Sequence, residues 1–431
     1  MKKTTFVLAG DSFITQRLPH NAALRALRRY LRSFSVRFTN FEILLHDFEV
    51  YPAPVSGGTW AAARPSVLED LEYLGFNLYT WANNHTIDWN IDGLLTTMRH
   101  LDAAGVIHAG VGRNLAEASQ PKYLDTPNAR VAIIGVTSTI NQWGIAGAQR
   151  PDVLGRPGVN PLRYQTTHYL EENDLRKLSQ IVEQTDVNAD RQLNEKEGFA
   201  KASGDGCFVG SIRFSVGKPG TSTVMDEKDK ARLTASIKEA SRQADIVLVS
   251  HHTHERKGMD KELPADFARD FARLCLDNGA AAYIGHGPHI WRGIEIYNGK
   301  PIFYSLGDFI FQNDTVERQP TEFYDLYDLG PDSSVADGID IRSDYGKRGL
   351  DADKRVFQSA LASFAIEDGK ISDITLKPLS LSFNEDRGLR GRPSFAGEEE
   401  ATEILEHIRA LSSPYGTQID IVNGEGIIKL S

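Results

Sequence analysis

The stretch from Leu78 to Asp88, LYTWANNHTID, leads from a strand-like run into a cluster of polar side chains. The residues before the cluster are apolar and aromatic, as expected of a buried strand, and a helical pattern begins after it, at Gly93. Open α/β sheets place their chemistry at such strand-to-helix turns. We therefore predict an α/β fold with a functional site at this turn.

The polar residues of this turn could bind a metal ion and move a proton. The amide oxygen of Asn84 can ligate a cation, and the imidazole of His85 can transfer a proton. Asp88 follows His85 by one helical turn, a spacing that lets the carboxylate accept from the imidazole and orient it. Alternatively, the asparagines cap the following helix, and His85 and Asp88 are only polar residues of that cap without a chemical role.

Potential metal ligands also end several other predicted strands. Asp11 closes the first strand, Asn40 and Glu42 share one face of the second, and histidines end two later strands. If these residues were unrelated, a potential ligand would have to occur at each strand end by coincidence. One shared site explains all of them. The strand ends together supply Asp11, Asn40, Glu42, Asn84, His85, Asp88, His251, His254, Glu255, His286 and His289.

The donor types in this set favour a divalent metal ion. Carboxylates, an amide oxygen and imidazoles are present without a thiolate, which argues against a structural zinc site. Mn²⁺, Ca²⁺, Zn²⁺ and Fe²⁺ all suit such a mixed shell of oxygen and nitrogen donors. We expect one or two of these ions to be bound.

The composition is that of an ordinary globular protein, with 41% hydrophobic and 25% charged residues in a chain of 431. A net charge of −10 argues against a nucleic-acid partner. The apolar run from Phe6 to Ala9 is too short for a signal peptide, and no other run is long enough to span a bilayer. Two distant cysteines suggest no disulfide framework. We expect a cytoplasmic protein without membrane insertion.

The length allows two or three average domains, or one large α/β domain with insertions. We predict a core over residues 1–311 with an insertion at about 139–206, where the strand pattern weakens. Residues 312–358 are acidic and rich in Gly, Pro and Ser, so they form either an inserted lid or a surface loop. Residues 359–431 contribute strands and a helix that complete the same domain. The segment 210–223 has the pattern of a hairpin.

These motifs resemble those of the CapA-type family, the capsule and poly-γ-glutamate synthesis proteins, whose domain is similar to the calcineurin-like metallophosphatases. The likeness runs from the first strand to Phe311, with a further part near the C-terminus, from Leu411 to Thr417. The matching pieces are Gly10-Asp11 with Arg17, Asn40-Phe41-Glu42, Ala82 to Asp88 with Gly93-Leu94, Ala104 to Val106, Gly110 to Asn114, His251 with Glu255, Gly285 to His289, and Gly299 to Phe309.

The resemblance implies a calcineurin-like two-sheet β-sandwich flanked by helices, with residues 1–311 as the metallophosphatase-like catalytic core. Carried over residue by residue, it implies metal ligands at Asp11, Glu42, Asn84, His251, His286 and His289. His85 with Asp88 is the implied proton-transfer pair, and Asp11, His286 and His289 are further catalytic candidates. The remaining candidates would bind substrate, and they are Asn40, Arg17, His254 and Glu255.

Several positions depart from the family pattern. His252-Thr253 stand where an aromatic residue and glycine are usual, Asn90 replaces a glycine, and Asp308 replaces an asparagine. Phe13 stands where phosphatases proper have a histidine, which removes one ligand of a two-metal centre. A single metal ion is therefore a serious option.

The residues and the resemblance together favour a soluble metal-dependent acid/base enzyme that hydrolyses a peptide or γ-glutamyl, polyglutamate-like substrate. The same groups could instead remove and return a peptide Cα proton, as in a lasso-peptide epimerase that is similar to this family. Two further functions stay open, namely a phosphoesterase and a non-catalytic polyglutamate-binding protein.

Overall fold

The apolar first strand, Lys3–Phe13, lies in the middle of the larger of two β-sheets. It pairs in parallel with Val36–Phe41 and with Asp308–Phe311, and antiparallel with Gln358–Glu367. The computed structural model describes residues 3–202, 204 and 206–430. Within this part of the chain, the first strand joins early and late segments of the sequence in one sheet.

The larger sheet is mixed and contains eleven strands within the described ranges. The strands on either side of residues 367–370 pair antiparallel, with Ser363 opposite Thr375. In spatial order, the main path is Asp420–Val422, Glu425–Ile428, Ile374–Ser380, Gln358–Glu367, Lys3–Phe13, Val36–Phe41, Leu78–Thr80 and His108–Ala109, and the side strands are Asp308–Phe311, Lys370–Ile371 and Ser394–Phe395.

The smaller sheet has six strands in the described part of the chain, and its centre is parallel. The strand Ile246–His252 pairs in parallel with Arg130–Thr137 on one side and with Ala282–His286 on the other. In spatial order the sheet runs through Ile294–Tyr297, Lys300–Phe303, Ala282–His286, Ile246–His252, Arg130–Thr137 and Lys122–Asp125.

Alternation of side chains along each strand decides which face contacts the other sheet. Phe6 and Leu8 of the larger sheet share a buried core with Leu248 of the smaller sheet. Their neighbours in sequence point the other way, so that Val7 and Val249 pack in two outer cores beneath helices. The predicted α/β sandwich of two sheets flanked by helices is therefore confirmed.

Helices cover both outer faces of the sandwich, where their apolar stripes are buried. Leu24, Leu27 and Leu31 of one helix pack on the larger sheet, and Phe267 and Phe271 of another pack on the smaller sheet. No helix in the described ranges is both long and apolar enough to cross a lipid bilayer. The α-helices are Ala22–Leu31, Leu68–Leu74, Asn90–Ala103, Leu115–Ala118, Glu172–Glu183, Ala189–Lys196, Glu227–Gln243, Asp266–Asp277, Thr321–Asp325, Val335–Arg342 and Glu398–Ser412.

The described residues between 164 and 225 contain a further four-stranded sheet. The expectation of a hairpin at 210–223 is wrong, because Tyr164–Leu170 lies between the two strands and pairs with both. In spatial order, this sheet comprises Cys207–Val209, Ile212–Val216, Tyr164–Leu170 and Gly220–Met225. The short two-stranded pairs are Val111–Gly112 with Gly158–Val159, Leu44–Leu45 with Ala62–Ala63, and Arg256–Lys257 with Asp260–Pro264.

Residues 312–358 form short helices that dock on the larger sheet's helical side. Phe323 and Ile339 are each 1% exposed and belong to the same outer core as Leu24 and Leu27. Ion pairs of Arg387 with Asp340 and of Arg390 with Asp314 tie the segment to the C-terminal part of the chain. The short 3₁₀ turns of the chain are Pro65–Val67, Gln142–Gly144, Asn313–Thr315, Leu350–Ala352, Lys354–Phe357 and Ser413–Tyr415.

Candidate metal centre

Polar residues from central strands of both sheets meet in one buried cluster. In the larger sheet, Asp11 stands opposite Asn40 on one side and Asp308 on the other. In the smaller sheet, His252 stands opposite His286. All five are fully buried, with 0% of their surface exposed. The fold thus concentrates carboxylates and imidazoles from distant parts of the chain.

Asp11 lies at the centre of this cluster. Its carboxylate accepts hydrogen bonds from the side-chain amide of Asn40 at 2.7 Å and from the backbone N–H of Gly287 at 2.8 Å. One oxygen also lies 3.1 Å from Nδ1 of His286 and 3.7 Å from Nδ1 of His252. Burial opposes ionisation, but the two imidazoles outweigh it and lower the pKa of Asp11 well below its usual value. Asp11 is therefore suited to bind a cation as a carboxylate.

Glu42 is buried without a hydrogen-bond partner for either carboxylate oxygen in the described part of the chain. The nearest cationic candidates are Nε2 of His252, 3.5 Å from Oε1, and Nε2 of His85, 3.9 Å away. Burial, followed by repulsion from Asp11 and Asp308, raises the pKa of Glu42 well above its usual value. A buried carboxylate is costly unless it is paired or binds a metal, so Glu42 fits the role of a ligand.

Neighbouring histidines of one strand point in opposite directions. His251 faces the helices: its ring nitrogens lie 2.6 Å from the hydroxyl of Tyr283 and 3.0 Å from that of Ser138. His252 faces the space between the sheets, where Nδ1 lies 3.0 Å from Nδ1 of His286. The structure therefore does not bring the predicted ligand His251 into the cluster. His252, which the sequence reasoning noted only as a departure from the family pattern, is there instead.

The cluster also contains an imidazole–carboxylate pair that joins His289 to Asp308. Nδ1 of His289 lies 3.0 Å from Oδ1 of Asp308, while Oδ2 of Asp308 is buried and unpartnered within the described residues. Burial raises the pKa of Asp308 to about 6, with His289 acting in the opposite direction. Burial would lower the pKa of His289, but the interaction with Asp308 prevails and raises it. Asp308 was not among the predicted ligands.

His85 and Asp88 form a second such pair at the surface of the cluster. Nδ1 of His85 lies 2.7 Å from Oδ2 of Asp88. The Asp88 carboxylate also accepts from the backbone N–H groups of Gly57 and Ala61, at 2.8 and 2.9 Å. Burial raises the pKa of Asp88, and His85 acts against this rise. The carboxylate is thereby held in one orientation, which in turn orients the imidazole.

Asn84 lies beside these groups with its amide oxygen free. Its side-chain N–H donates to the backbone carbonyl of Gly57 at 3.0 Å, while Oδ1 is buried without a partner in the described ranges. A side chain at Gly57 would collide with this amide, because a Cβ there would lie 2.6 Å from Nδ2 of Asn84. The glycine therefore permits the contact that fixes the amide.

The predicted substrate-binding residues lie in different places. Asn40 holds Asp11, as described above, and His254 places Nε2 3.1 Å from Nε2 of His252. Glu255 accepts from nearby hydroxyl groups and lines a groove of about 1010 Å³ beside the four-stranded sheet. Arg17 is engaged elsewhere, in a 2.8 Å ion pair with the buried carboxylate of Asp70.

A cavity of about 370 Å³ opens onto the cluster, and three histidines line it: His85, His254 and His289. His289 has a φ of 62°, a left-handed conformation that is uncommon for a residue other than glycine. Gly287 also has a positive φ, of 119°, and a Cβ there would lie 3.2 Å from Nε2 of His252. Such backbone geometry persists where the surrounding structure holds it, and it often marks functional sites.

Among the residues that the structure describes, three overlapping groups have ligand atoms close enough together to hold a metal ion. In each group these atoms all lie within 4.8 Å of one another. The donors fit a divalent cation, because they combine carboxylates with imidazoles and include unpartnered buried oxygens. The groups are Asp11 with His252 and His286; Glu42 with His252 and His254; and Asp11 with Glu42, His289 and Asp308.

Comparison with known proteins finds one matching family and several relatives. Residues 5–313 match the family described as bacterial capsule synthesis protein PGA_cap. An uncharacterized protein of Sinorhizobium fredii is 32% identical over 439 aligned positions, which cover 99% of this chain and 93% of the relative. The match therefore extends beyond the cluster to almost the whole chain.

Two relatives carry more informative names. The capsule biosynthesis protein CapA of Bacillus anthracis is 23% identical over 319 positions, covering 72% of this chain and 60% of that protein. The PGA biosynthesis protein CapA of Bacillus subtilis is 47% identical over 75 positions, covering 17% of this chain and 19% of that protein.

Proposed function

This chain belongs to the bacterial capsule synthesis protein PGA_cap family, a member of the calcineurin-like superfamily, and from that premise we propose that it is a metal-dependent hydrolase. We propose a peptide or γ-glutamyl amide as the substrate. The relatives named for capsule and PGA biosynthesis support a polymer of this chemical kind. The predicted resemblance to the CapA-type family is confirmed at the level of the family.

The proposal rests above all on the buried carboxylate of Glu42, which has no hydrogen-bond partner among the described residues. Both of its oxygens are buried and unpartnered in the described structure, and Glu42 belongs to the same group of potential ligands as Asp308. Leaving a polar group buried and unsatisfied costs about 1–3 kcal/mol, and more when the group is charged. A cation held by the group of Asp11, Glu42, His289 and Asp308 would give the carboxylates of Glu42 and Asp308 a partner.

When bound, a divalent cation would act as a Lewis acid toward a carbonyl oxygen of the substrate. It would also lower the pKa of a water molecule bound to it. The protein's own groups do the remaining work. Asn40 and Gly287 hold Asp11 in place through hydrogen bonds of 2.7 and 2.8 Å. Asp88 orients His85, whose Nε2 is left to give a proton to the leaving amine. Phe13 packs edge-on against His85, with ring centroids 5.3 Å apart.

The metal part of the proposal is tested with Glu42→Gln. We expect the purified wild-type chain to bind at least one divalent ion per molecule and the variant to bind much less. Metal at 100 times its Kd should stabilise the wild type by about 2.7 kcal/mol, and a chelator should remove this gain. Glu295→Gln is the matched control, since Glu295 is a buried carboxylate that pairs with Arg273 away from the cluster. Equal metal content in wild type and Glu42→Gln would contradict the proposal.

The hydrolytic part is tested by a substrate screen with the metal-loaded chain. γ-Glutamyl oligomers and linear peptides should release a free amine, whereas aryl phosphoesters should not release phosphate. Phosphate release alone would assign the chain as a phosphoesterase. Tight binding of γ-glutamyl oligomers without turnover, unchanged in His85→Ala, would assign it as a binding protein.

A second candidate function is exchange of a peptide Cα proton, and one observation favours it. The cavity is lined by both His85 and His289, each paired with its own carboxylate, Asp88 or Asp308. Two such pairs facing one cavity could remove a proton on one side and return it on the other. Incubation of peptides in D₂O separates the two functions, because epimerisation introduces deuterium at Cα without cleavage.

A further inference from the structure

The rim of the cavity above His85 and His289 carries four cationic side chains. Two of them, Arg256 and Lys261, belong to the short hairpin that follows His254. The other two, Arg342 and Arg348, belong to the docked segment 312–358. Positive charge from two separate parts of the chain thus converges on the entrance to the candidate metal centre.

Within the described ranges, these four cations lack carboxylate partners, which distinguishes them from their neighbours. None of them forms an ion pair with another described residue, whereas nearby Arg355 pairs with Asp353 at 2.8 Å. Arg64 and Arg113, by comparison, each form an ion pair of 2.8 Å with a glutamate.

One carboxylate does line the same cavity. Asp351 is 5% exposed, and burial, followed by repulsion from Asp314, raises its pKa. Its attraction to Arg342 offsets part of this rise without forming an ion pair within 4.0 Å. Because this single carboxylate faces four cationic side chains, the rim has a net positive charge.

Hydrogen bonds fix the two arginines of the docked segment. Arg342 donates to the hydroxyl of Thr59 at 2.8 Å, and Thr59 in turn donates to Asn313 at 2.9 Å. Arg348 donates to the backbone carbonyls of Arg342 and Ile341, at 3.0 and 3.3 Å. A guanidinium group has five N–H donors, so these contacts position the side chains and leave donors available to a ligand.

The cationic rim is also already assembled, because the segment that supplies half of it is packed down. Ile339 is 1% exposed, and ion pairs of Asp340 and Asp314 with arginines of residues 387–390 hold the segment in place. A preformed site loses less entropy on binding than one that must close over its ligand.

We propose that Arg256, Lys261, Arg342 and Arg348 form a carboxylate-binding subsite beside the metal centre. This inference rests on the proposed function and deepens it. A substrate that places its reacting amide near His85 would present a neighbouring carboxylate to the rim. The subsite therefore selects peptides that carry a free carboxylate next to the reacting bond, such as γ-linked glutamate, which has one on each residue.

The test measures binding rather than turnover, so that it is independent of whether the chain is a hydrolase. Calorimetry on the full metal-loaded chain compares a γ-linked glutamate tetramer with the same tetramer carrying α-carboxamides, and with inorganic phosphate. We expect the wild type to bind the free acid about 10- to 100-fold more tightly than the amide, the effect of one or two charge-assisted hydrogen bonds.

The variants are Arg348→Gln, Arg342→Gln and the combination of both. Each should weaken binding of the acid by about tenfold or more and leave binding of the amide unchanged. Lys347→Gln is the matched control, because it removes a charge from the same segment at a side chain that is 71% exposed and lies 3.7 Å from Asp344. It should bind both tetramers as the wild type does.

Several results would overturn the subsite. Equal affinity for acid and amide in the wild type would show that the rim does not recognise carboxylates. Loss of affinity in Lys347→Gln equal to that in Arg348→Gln would show a general charge effect. Phosphate bound as tightly as the acid, and lost in the same variants, would assign the rim to phosphate instead. Absence of turnover with retained acid selectivity would overturn the hydrolase proposal alone.

Discussion

The Nδ1 atom of His85 lies 2.7 Å from Oδ2 of Asp88, and two backbone N–H groups hold the same carboxylate. This arrangement fixes the imidazole and leaves Nε2 as the atom that can exchange a proton with a substrate. The first prediction follows from this pair.

Replacing His85 by Ala should lower turnover of the cleaved substrate by about 10²- to 10⁴-fold, the usual effect of losing a general acid or base. Asp88→Asn should also lower turnover, because an amide cannot accept from His85, Gly57 and Ala61 at once. The measurement is kcat at several pH values together with substrate affinity. His100→Ala serves as the control in a nearby helix. Unchanged kcat in His85→Ala would exclude this role.

A second prediction separates the two adjacent histidines. His252→Ala should lose bound metal, because His252 belongs to two of the groups whose ligand atoms cluster. His251→Ala should keep its metal and lose stability, since it removes hydrogen bonds of 2.6 and 3.0 Å on the helix side of the sheet. Metal per folded molecule, measured by elemental analysis beside thermal unfolding, distinguishes the two. The reverse pattern would restore His251 as the ligand.

The close contact between two strands gives a third prediction. A Cβ at Gly10 would lie 1.8 Å from the carbonyl oxygen of Gly307, so the strands that carry Asp11 and Asp308 would have to separate. Gly10→Ala should destabilise the fold by about 1–3 kcal/mol or more, as overpacking does. Gly330→Ala, where a Cβ meets nothing within 4 Å, should change stability by about 0.5 kcal/mol or less. Denaturant unfolding of both variants provides the measurement.

His46 gives a prediction about pH. It is 0% exposed, its Nδ1 accepts from the N–H of Phe48 at 3.1 Å, and its ring packs against Trp89. Burial lowers its pKa to about 4, although Glu49 and Asp47 act to raise it. The unfolded chain therefore takes up a proton on this imidazole near pH 6.5 while the folded chain does not, so stability falls as the pH drops toward 4.

The loss attributable to His46 should reach about 2 kcal/mol between pH 7 and pH 5. His46→Asn keeps an acceptor for Phe48 and cannot be protonated, so its stability should depend less steeply on pH over this range. The difference between the two unfolding curves isolates the single group. If the free energies of unfolding of wild type and variant depend on pH in the same way, His46 takes up its proton in the folded chain over the same pH range as in the unfolded chain.

The sequence could place much of the site because strand ends are visible in it. Asp11, Glu42 and His286 lie at or just beyond the ends of apolar runs, and the structure brings them together. The geometry of His85 with Asp88 also follows from their spacing on one turn. Such features depend on local chain geometry, which a single sequence contains.

The choice between His251 and His252 depended on long-range information. Successive residues of a strand face opposite sides, so an error of one position reverses the side chain. Leu248 packs between the sheets and Val249 beneath the helices, and this alternation assigns His252 to the inside. The two faces of this strand are both apolar, so the sequence does not show which one meets the other sheet.

Asp308 was missed for a related reason. It begins a short strand rather than ending one, and it enters the cluster because that strand pairs beside Asp11. Residues 312–358, which we predict to be an inserted lid or a surface loop, pack Phe323 and Ile339 against the core. Pairing and docking between distant segments cannot be derived from local composition.

The position of Lys3–Phe13 has a consequence for how the protein is made. This strand leaves the ribosome long before two of its three partners, Asp308–Phe311 and Gln358–Glu367, which are synthesised hundreds of residues later. Until these partners are synthesised, one edge of the first strand has no hydrogen-bond partners. Unpaired strand edges promote aggregation. We expect nascent chains stalled before residue 358 to stay protease-sensitive at this strand and to require a chaperone, and chains extended beyond residue 367 to become resistant.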